Sequence, residues 1–353
     1  HGADIVITKP GGEKTSLRLA GLKADGPAAR TFVETLRNDL EYSGWFRVVR
    51  ADAAVSVDGE CEARGDRLVV KCSVLHTVQG EAYFRRTFSG EAGKARLLAH
   101  AVSDAIVKAV TGREGMASTR IVMIGSGADG KDLYVCDSDG GNFMRVTHDR
   151  AVCSTPRWAG NAASLVYTSY RSGFPDVYYV DLVRQGRRRV AAFPGLNAGA
   201  DVSPDGNAMV LTLSKDGNPD LYTVGLKARR VSRLTRTPSA AEASPSWSPD
   251  GRQIVFVSDR SGSPQVYIMS RKGGRARRVT FVGSENVSPD WGQDGRIVFS
   301  SRRGGRYQLV VFDPRNNKEE QLTKVNVDHE SPSWAPDGRH VAAKGEKGKR
   351  YTV

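Results

Sequence analysis

The feature that most restricts what this chain can fold into is an internal repeat. Ser246-Trp247-Ser248-Pro249-Asp250-Gly251, Asp290-Trp291-Gly292-Gln293-Asp294-Gly295 and Ser333-Trp334-Ala335-Pro336-Asp337-Gly338 align without strain. Arg157-Trp158-Ala159-Gly160 is a weaker copy, and Asp201-Val202-Ser203-Pro204-Asp205-Gly206 keeps the turn with Val202 at the Trp position. The anchors stand roughly 44 residues apart, and that period with strand-like content marks a propeller blade. The clearest copy reads as four strands, Ser244–Ser248, Gln253–Ser258, Gln265–Ser270 and Arg277–Thr280. Pro249-Asp250-Gly251 is its first turn: Pro fixes φ, Asp accepts a local hydrogen bond and Gly tolerates positive φ. Stacked blades bury both sheet faces, which is why Ile254-Val255-Phe256-Val257 is continuously apolar.

Residues 120–147 hold three strand candidates with no Trp-type inner strand before them, and too few residues follow Trp334 to finish its repeat. The expectation is an all-β six-bladed propeller over residues 120–353, with four whole blades, one lacking its inner strand, and the last blade incomplete in this chain. Residues 1–113 read differently. Ala28–Leu40 and Ala95–Val110 carry apolar residues at helical spacing, and Phe46–Val49, Ala54–Val57, Arg67–Val74 and Ala82–Phe88 are strand candidates. These make a small α/β N-terminal domain, joined to the propeller by a linker at residues 114–119.

Lys and Arg number 52 against 39 Asp and Glu, a formal charge of +13 that favours acidic partners. The basic runs Arg187-Arg188-Arg189, Arg229-Arg230, Arg277-Arg278 and Arg302-Arg303 lack an aromatic stacking pattern, and most fall at the start of outer strands. They read as solvated edges that keep strands from pairing with other chains, and nucleic acid is not an expected partner. No apolar run is long enough for a membrane helix. No apolar leader segment follows His1-Gly2-Ala3, so the chain either never had one or is a mature form. Cys61 and Cys72 flank the turn Arg64-Gly65-Asp66 and are candidates for a cross-strand disulfide; the alternative is that these two, Cys136 and Cys153 are all free and buried.

Catalytic signatures are missing: there is no nucleophile elbow in hydrolase context and no phosphate-binding loop. His1, His76, His100, His148, His329 and His340 include no pair at ligand spacing. Asp205, Asp250, Asp294 and Asp337 are turn residues, and Asp137-Ser138-Asp139-Gly140 opens like a calcium loop but has no Glu at its twelfth position, so it reads as a hairpin. No catalytic residue, cofactor or metal site is expected. What remains is geometry. Loops leading into inner strands, and loops joining second to third strands, gather at one mouth of the central channel. The first set supplies Asn197, Gly199, Glu242, Ala243, Glu285, Asn286, His329 and Glu330, the second Arg171 and Arg260, a mixed-charge surface suited to a protein partner.

The stretch Pro245–Gly262, Pro-Ser-Trp-Ser-Pro-Asp-Gly-x-x-Ile-x-Phe-x-Ser-x-Arg-x-Gly, resembles the repeat of the TolB family, although peptidase-associated propellers share it. Leu36–Phe46, ending a helix before Ser43-Gly44-Trp45-Phe46, the strand pair at Gly59–Val70, and Thr119-Arg120-Ile121 resemble that family in the same order. The resemblance implies an exported, non-catalytic periplasmic scaffold of the Tol–Pal cell-envelope system, with its signal peptide removed. It implies a monomer that binds the peptidoglycan-associated lipoprotein Pal at the propeller mouth and TolA through the N-terminal segment. Such a protein touches membranes only through its partners and supports outer-membrane integrity and constriction at division. Where members carry a His in the loop before the third blade's inner strand, this chain has Leu196, so a His-centred contact is not expected. The alternative is a propeller enzyme: a polysaccharide lyase, which the positive charge would suit, or a peptidase-associated propeller, which would need a hydrolase domain.

Overall fold

The computed structural model describes residues 14–127, 130–160, 163–347 and 350–352. Two compact units result. The N-terminal unit runs through Thr119 and takes in Asp137–Asp139; the remainder of the described chain is the propeller unit. Residues 1–13, which include the N-terminal segment expected to engage TolA, lie outside the described residues. Among the described residues no helix is long and apolar enough to cross a membrane.

In chain order the N-terminal unit comprises β1 (Thr15–Asp25), α1 (Pro27–Tyr42), β2 (Phe46–Val49), β3 (Val55–Arg64), β4 (Arg67–His76), β5 (Ala82–Glu91) and α2 (Ala95–Thr111). The strands form one sheet in the order β2-β1-β3-β4-β5, with β1 parallel to both neighbours. β1 was not anticipated. Leu17 and Leu19 alternate into the core, but the pairing with β3 slips between Arg18 and Gly21, which breaks the period. A Cβ on Gly21 would come within 1.7 Å of Asp58 Oδ1, so any side chain there would have to displace the Asp58 carboxylate. Phe32, Leu36 and Leu40 of α1 pack with Val102 and Ile106 of α2 and with Leu68 and Val70 of β4 in a single core.

The expected Cys61–Cys72 bridge is absent, and the register gives the reason. A two-residue turn, Gly65-Asp66, pairs Arg64 with Arg67, which sets Cys61 opposite Val70 and Cys72 opposite Gly59. The two cysteines are therefore diagonal neighbours, about 7 Å apart at Cα and too far at Cβ for a disulfide. Both thiols are free and buried, and burial pushes them up to about 11 for Cys61 and about 12 for Cys72.

The propeller is present, with fewer than six complete blades. Four sheets carry four strands, with inner strands Cys153–Trp158, Asn197–Val202, Glu242–Trp247 and Asn286–Trp291. Two carry three: Arg120–Gly127 with Gly130–Asp137 and Met144–Arg145, and His329–Trp334 with Val341–Lys347 and Arg350–Thr352. Each Trp-type inner strand has a bulge at its third and fourth positions, where Thr155, Gly199, Ser244, Ser288 and Ser331 all take positive φ. Pro follows four of the five, a residue without the N–H that a ladder would demand.

A second device repeats near the outer strands. Thr147, Thr235 and Thr280 donate their hydroxyls to Asp132 (2.9 Å), Asp220 (2.7 Å) and Gln265 (2.9 Å), near the start of third strands. Arg145 and Arg233 reach the same two carboxylates, and Arg278 Nε donates to the Thr280 carbonyl at 2.6 Å. Arg187 and Arg189 likewise hold Asp149 (2.5 Å) and Asp176 (3.1 Å). Of the basic runs read as solvated edges, Arg188, Arg229, Arg230 and Arg277 are exposed, whereas Arg187, Arg189 and Arg278 also bond within the propeller.

Candidate functional site

The mouth is knitted from both predicted loop sets. The carbonyls of Pro175, Pro219 and Pro264, each ending a second-to-third-strand hairpin, accept the N–H of Asn197 (3.2 Å), Glu242 (2.8 Å) and Asn286 (2.9 Å) in the next blade. Within blades, Tyr170 N–H bonds the Val152 carbonyl at 2.9 Å and Arg302 N–H the Glu285 carbonyl at 2.8 Å. Three successive blades thus hand their hairpins to their neighbours.

Four predicted contact residues turn inward. Asn197, Glu242, Asn286 and His329 occupy the first position of their inner strands and are buried, as is Cys153 at the same place. Asn197 accepts the Phe193 N–H (2.8 Å) and donates to the carbonyls of Phe193 (2.7 Å) and Gly195 (3.2 Å), closing its own loop. Asn286 repeats this, donating to the Val282 carbonyl (3.0 Å) and to Gln265 (2.8 Å). The expectation that these four side chains face a partner is corrected. Asn197 and Asn286 plug their own loops, whereas Glu242 is held by Arg260 and Ser258.

The charged candidates pair with one another. Arg260 Nη2 donates to Glu242 Oε1 at 2.7 Å, and burial raises the Glu242 carboxyl above its ordinary range despite that partner. Arg302 donates to Glu285 at 3.3 Å, and Tyr307 donates its hydroxyl to the same carboxylate, with burial and that acceptor pushing the phenol up to about 12. Lys344 holds Glu330 at 2.9 Å. Arg171 lies 3.8 Å from Asp149 with its guanidinium over the Tyr178 ring. Burial lowers His329, keeping its ring neutral. Ala243 is exposed, and Gly199 sits in the bulge with φ 63.

Apolar side chains stand out at the mouth instead. Phe281 is 72% exposed and adjoins exposed Val282 in the loop leading to Asn286; Val325 is exposed in the next such loop, and Phe174 is 70% exposed in the hairpin before Pro175. Sequence reasoning passed over them, although apolar residues in loops outside the strand period were the available signal. Beside Val282 lies an open cleft of about 560 Å³ lined by Gly283, Ser284, Arg302, Arg303 and Gln321 among others. Apolar side chains thus stand exposed beside paired charges.

The channel itself is crossed. Arg157 of one inner strand donates to Asp290, three inner strands further on, beside Asp201.

Comparisons with known proteins agree with this architecture. The family description "TolB beta propeller domain" matches residues 107–353. A Tol-Pal system protein TolB from Bordetella parapertussis is 32% identical, the alignment covering 63% of this chain and 65% of that protein. A TolB homolog from Chlorobaculum tepidum is 28% identical, over 67% of this chain and 59% of the relative; the chain thus matches less than two thirds of either relative's length. The crystal structure of TolB from Acinetobacter baumannii superposes with a TM-score of 0.87 at 26% identity, covering 99% of this chain and 92% of that one. The chain belongs to the TolB beta-propeller family.

Proposed function

We propose that this chain is a non-catalytic periplasmic scaffold of the Tol–Pal system, binding a peptidoglycan-associated lipoprotein at the propeller mouth and TolA through its N-terminal segment, and so supporting outer-membrane integrity and constriction at division. The observation that carries this reading is the superposition on Acinetobacter TolB over 99% of this chain. The domain plan goes with it: an α/β domain over residues 1–113, a linker at 114–119, and a propeller from residue 120. The mouth supports a binding role because its charges stand in pairs, Glu242 with Arg260 and Glu285 with Arg302, beside exposed apolar side chains. Contact with the lipoprotein falls to Phe281, Val282 and Val325, with Gly199, Ala243, Glu285, Glu330, Arg171 and Arg260 at the rim. Asn197, Glu242, Asn286 and His329 act by shaping the loops.

The test compares Phe281→Ser with Arg230→Glu, an exposed outer-edge change, for binding of the same organism's Pal by titration calorimetry, each variant first checked for unchanged thermal unfolding. A buried aromatic anchor is worth about 2 kcal/mol or more, so Phe281→Ser should weaken binding at least about ten-fold and Arg230→Glu less than about two-fold. The reverse pattern would put the binding surface on the outer edges.

A further inference from the structure

The end of the propeller away from the mouth carries a surplus of positive charge. Strands alternate in direction within each blade, so first-to-second and third-to-fourth turns leave at the same end, opposite the hairpins that build the mouth. In the blade with inner strand Asn197–Val202, the turn 226–230 presents Lys227, Arg229 and Arg230. In the next blade the turn 271–276 presents Arg271, Lys272 and Arg275, and all six side chains are exposed. The two turns adjoin. A Cβ on Gly273, which has φ 82, would come 2.8 Å from the Leu234 carbonyl oxygen, just past the outer strand Val231–Arg233. Arg271 is anchored between them: its N–H donates to the Arg252 carbonyl at 2.9 Å, and its guanidinium lies over the Trp247 ring.

The carboxylates at this end of the two blades do not match these cations. Asp205 accepts the Ser203 hydroxyl (2.6 Å) and the Asn207 N–H (3.1 Å), and Asp250 accepts Ser248 (2.6 Å) and the Arg252 N–H (3.0 Å), each within its own turn. Arg252 stands 3.9 Å from Asp250, and Arg271 acts on Asp205 through its field. Among the described residues, Lys227, Arg229, Arg230, Lys272 and Arg275 make no ion pair. At the mouth, by contrast, Arg260 and Arg302 are each matched to a glutamate. Composition chooses among polyanions. Cations on the tips of separate turns suit charge spread over a surface. The corresponding turn of the preceding blade, 182–185, adds Val183, 78% exposed, beside exposed Arg184. An apolar tip among cations fits the boundary between headgroups and acyl chains. The three turns contain no aromatic residue on which nucleic-acid bases could stack.

We propose that this end of the propeller docks on an anionic phospholipid surface, with Lys227, Arg229, Arg230, Lys272 and Arg275 against the headgroup phosphates and Val183 at the interface. The contact is separate from the mouth, and it is made by the chain itself rather than through a partner. The inference does not rest on the Tol–Pal reading.

The experiment sediments the full chain with vesicles of phosphatidylglycerol and phosphatidylcholine in equal parts, with pure phosphatidylcholine vesicles and a short DNA duplex as competing surfaces. We expect binding to the anionic vesicles that weakens at least about ten-fold between roughly 50 and 300 mM NaCl, and none to phosphatidylcholine alone. Each cation near such a surface contributes about five-fold, so Arg229→Glu with Lys272→Glu should weaken binding at least about thirty-fold. Val183→Asp should weaken it at least about three-fold through the lost apolar contact. Arg30→Glu with Arg37→Glu, the same change of net charge on exposed positions of α1, should leave binding within about three-fold. Each variant is first checked for unchanged thermal unfolding. No binding to the anionic vesicles at about 50 mM NaCl, equal binding to phosphatidylcholine, equal losses from the two double variants, or tighter binding to the duplex would each overturn the proposal.

Discussion

In the N-terminal unit each contact is made once. Phe32, Leu36 and Leu40 meet Val102 and Ile106 over a single sheet, and among the described residues of the unit that arrangement has no second copy. In the propeller unit contacts recur blade after blade: the Pro carbonyl that accepts the next inner strand, the Thr hydroxyl on Asp or Gln, the positive-φ bulge residue. Recurrence permits variation. Val202 stands where other blades have Trp, and Gln265 and Gln308 stand where Asp132 and Asp220 do. Stability built as a sum of blades and interfaces can lose one copy locally, whereas a single core is lost as a whole.

The largest effect should come from removing a contact that has no copy. Phe32 is fully buried in the N-terminal core, and Phe32→Ala should cost about 4 kcal/mol from lost burial plus the cavity left behind. Calorimetry of the full chain should show the N-terminal unit's transition moved down or abolished, with the propeller's transition in place. A propeller transition that falls by the same amount would break the contrast, because the two units would then unfold as one.

The next prediction concerns a place where the propeller departs from its own repeat. At the fifth inner-strand position Asp201, Ser246 and Asp290 accept the N–H of the next blade's Trp at 2.8, 3.3 and 2.7 Å. Arg157 holds that position in its strand and instead crosses to Asp290. Burial raises Asp201 from 3.8 to about 6, outweighing the pull of Arg157. A carboxyl raised in the fold favours the protonated state. Its contribution is therefore full below about pH 4 and is lost as pH rises through about 6. Asp201→Asn keeps an acceptor for Trp247 N–H and cannot titrate, so relative to the unmodified chain it should gain about 2 kcal/mol between pH 4 and 7. Urea unfolding at a series of pH values measures the difference; a gap independent of pH would mean that Arg157 keeps Asp201 ionised throughout.

The same contrast governs what could be read from the sequence. The period, the Pro-Asp-Gly turns and the two helices were legible because each leaves a local pattern. β1 was not, since its bulge at Arg18–Gly21 interrupts the alternation that would have announced it. The cysteine register was within reach: a two-residue turn at Gly65-Asp66 dictates the pairing, and weighing turn length would have excluded the bridge. At the mouth, polar residues in loops looked available, but whether Asn197 or Glu242 faces out depends on the overhang of loops that only the fold assembles. Arg187 and Arg189 were only half read for the same reason: their carboxylate partners lie in the body of the blade. The basic runs were visible, but that the turns 226–230 and 271–276 adjoin follows from the ring.

The smallest effect tests whether recurrence predicts tolerance. Gly199 has φ 63 at the position where Thr155, Ser244, Ser288 and Ser331 have φ near 50, so the backbone there already accepts a side chain in four other strands. A Cβ on Gly199 would meet its nearest atom, Pro245 Cδ, at 3.7 Å, an ordinary contact, in contrast to the collision at Gly21 in the N-terminal unit. Only left-handed strain remains as a cost, and the lower entropy of an unfolded serine offsets part of it. Gly199→Ser should therefore cost less than about 1 kcal/mol by urea unfolding. Since the change points a hydroxyl from the rim without disturbing the blade, the same variant titrated with Pal separates the two roles open to this residue. Weakened binding at unchanged stability would make Gly199 a contact, and unchanged binding would leave it as one more copy of the bulge.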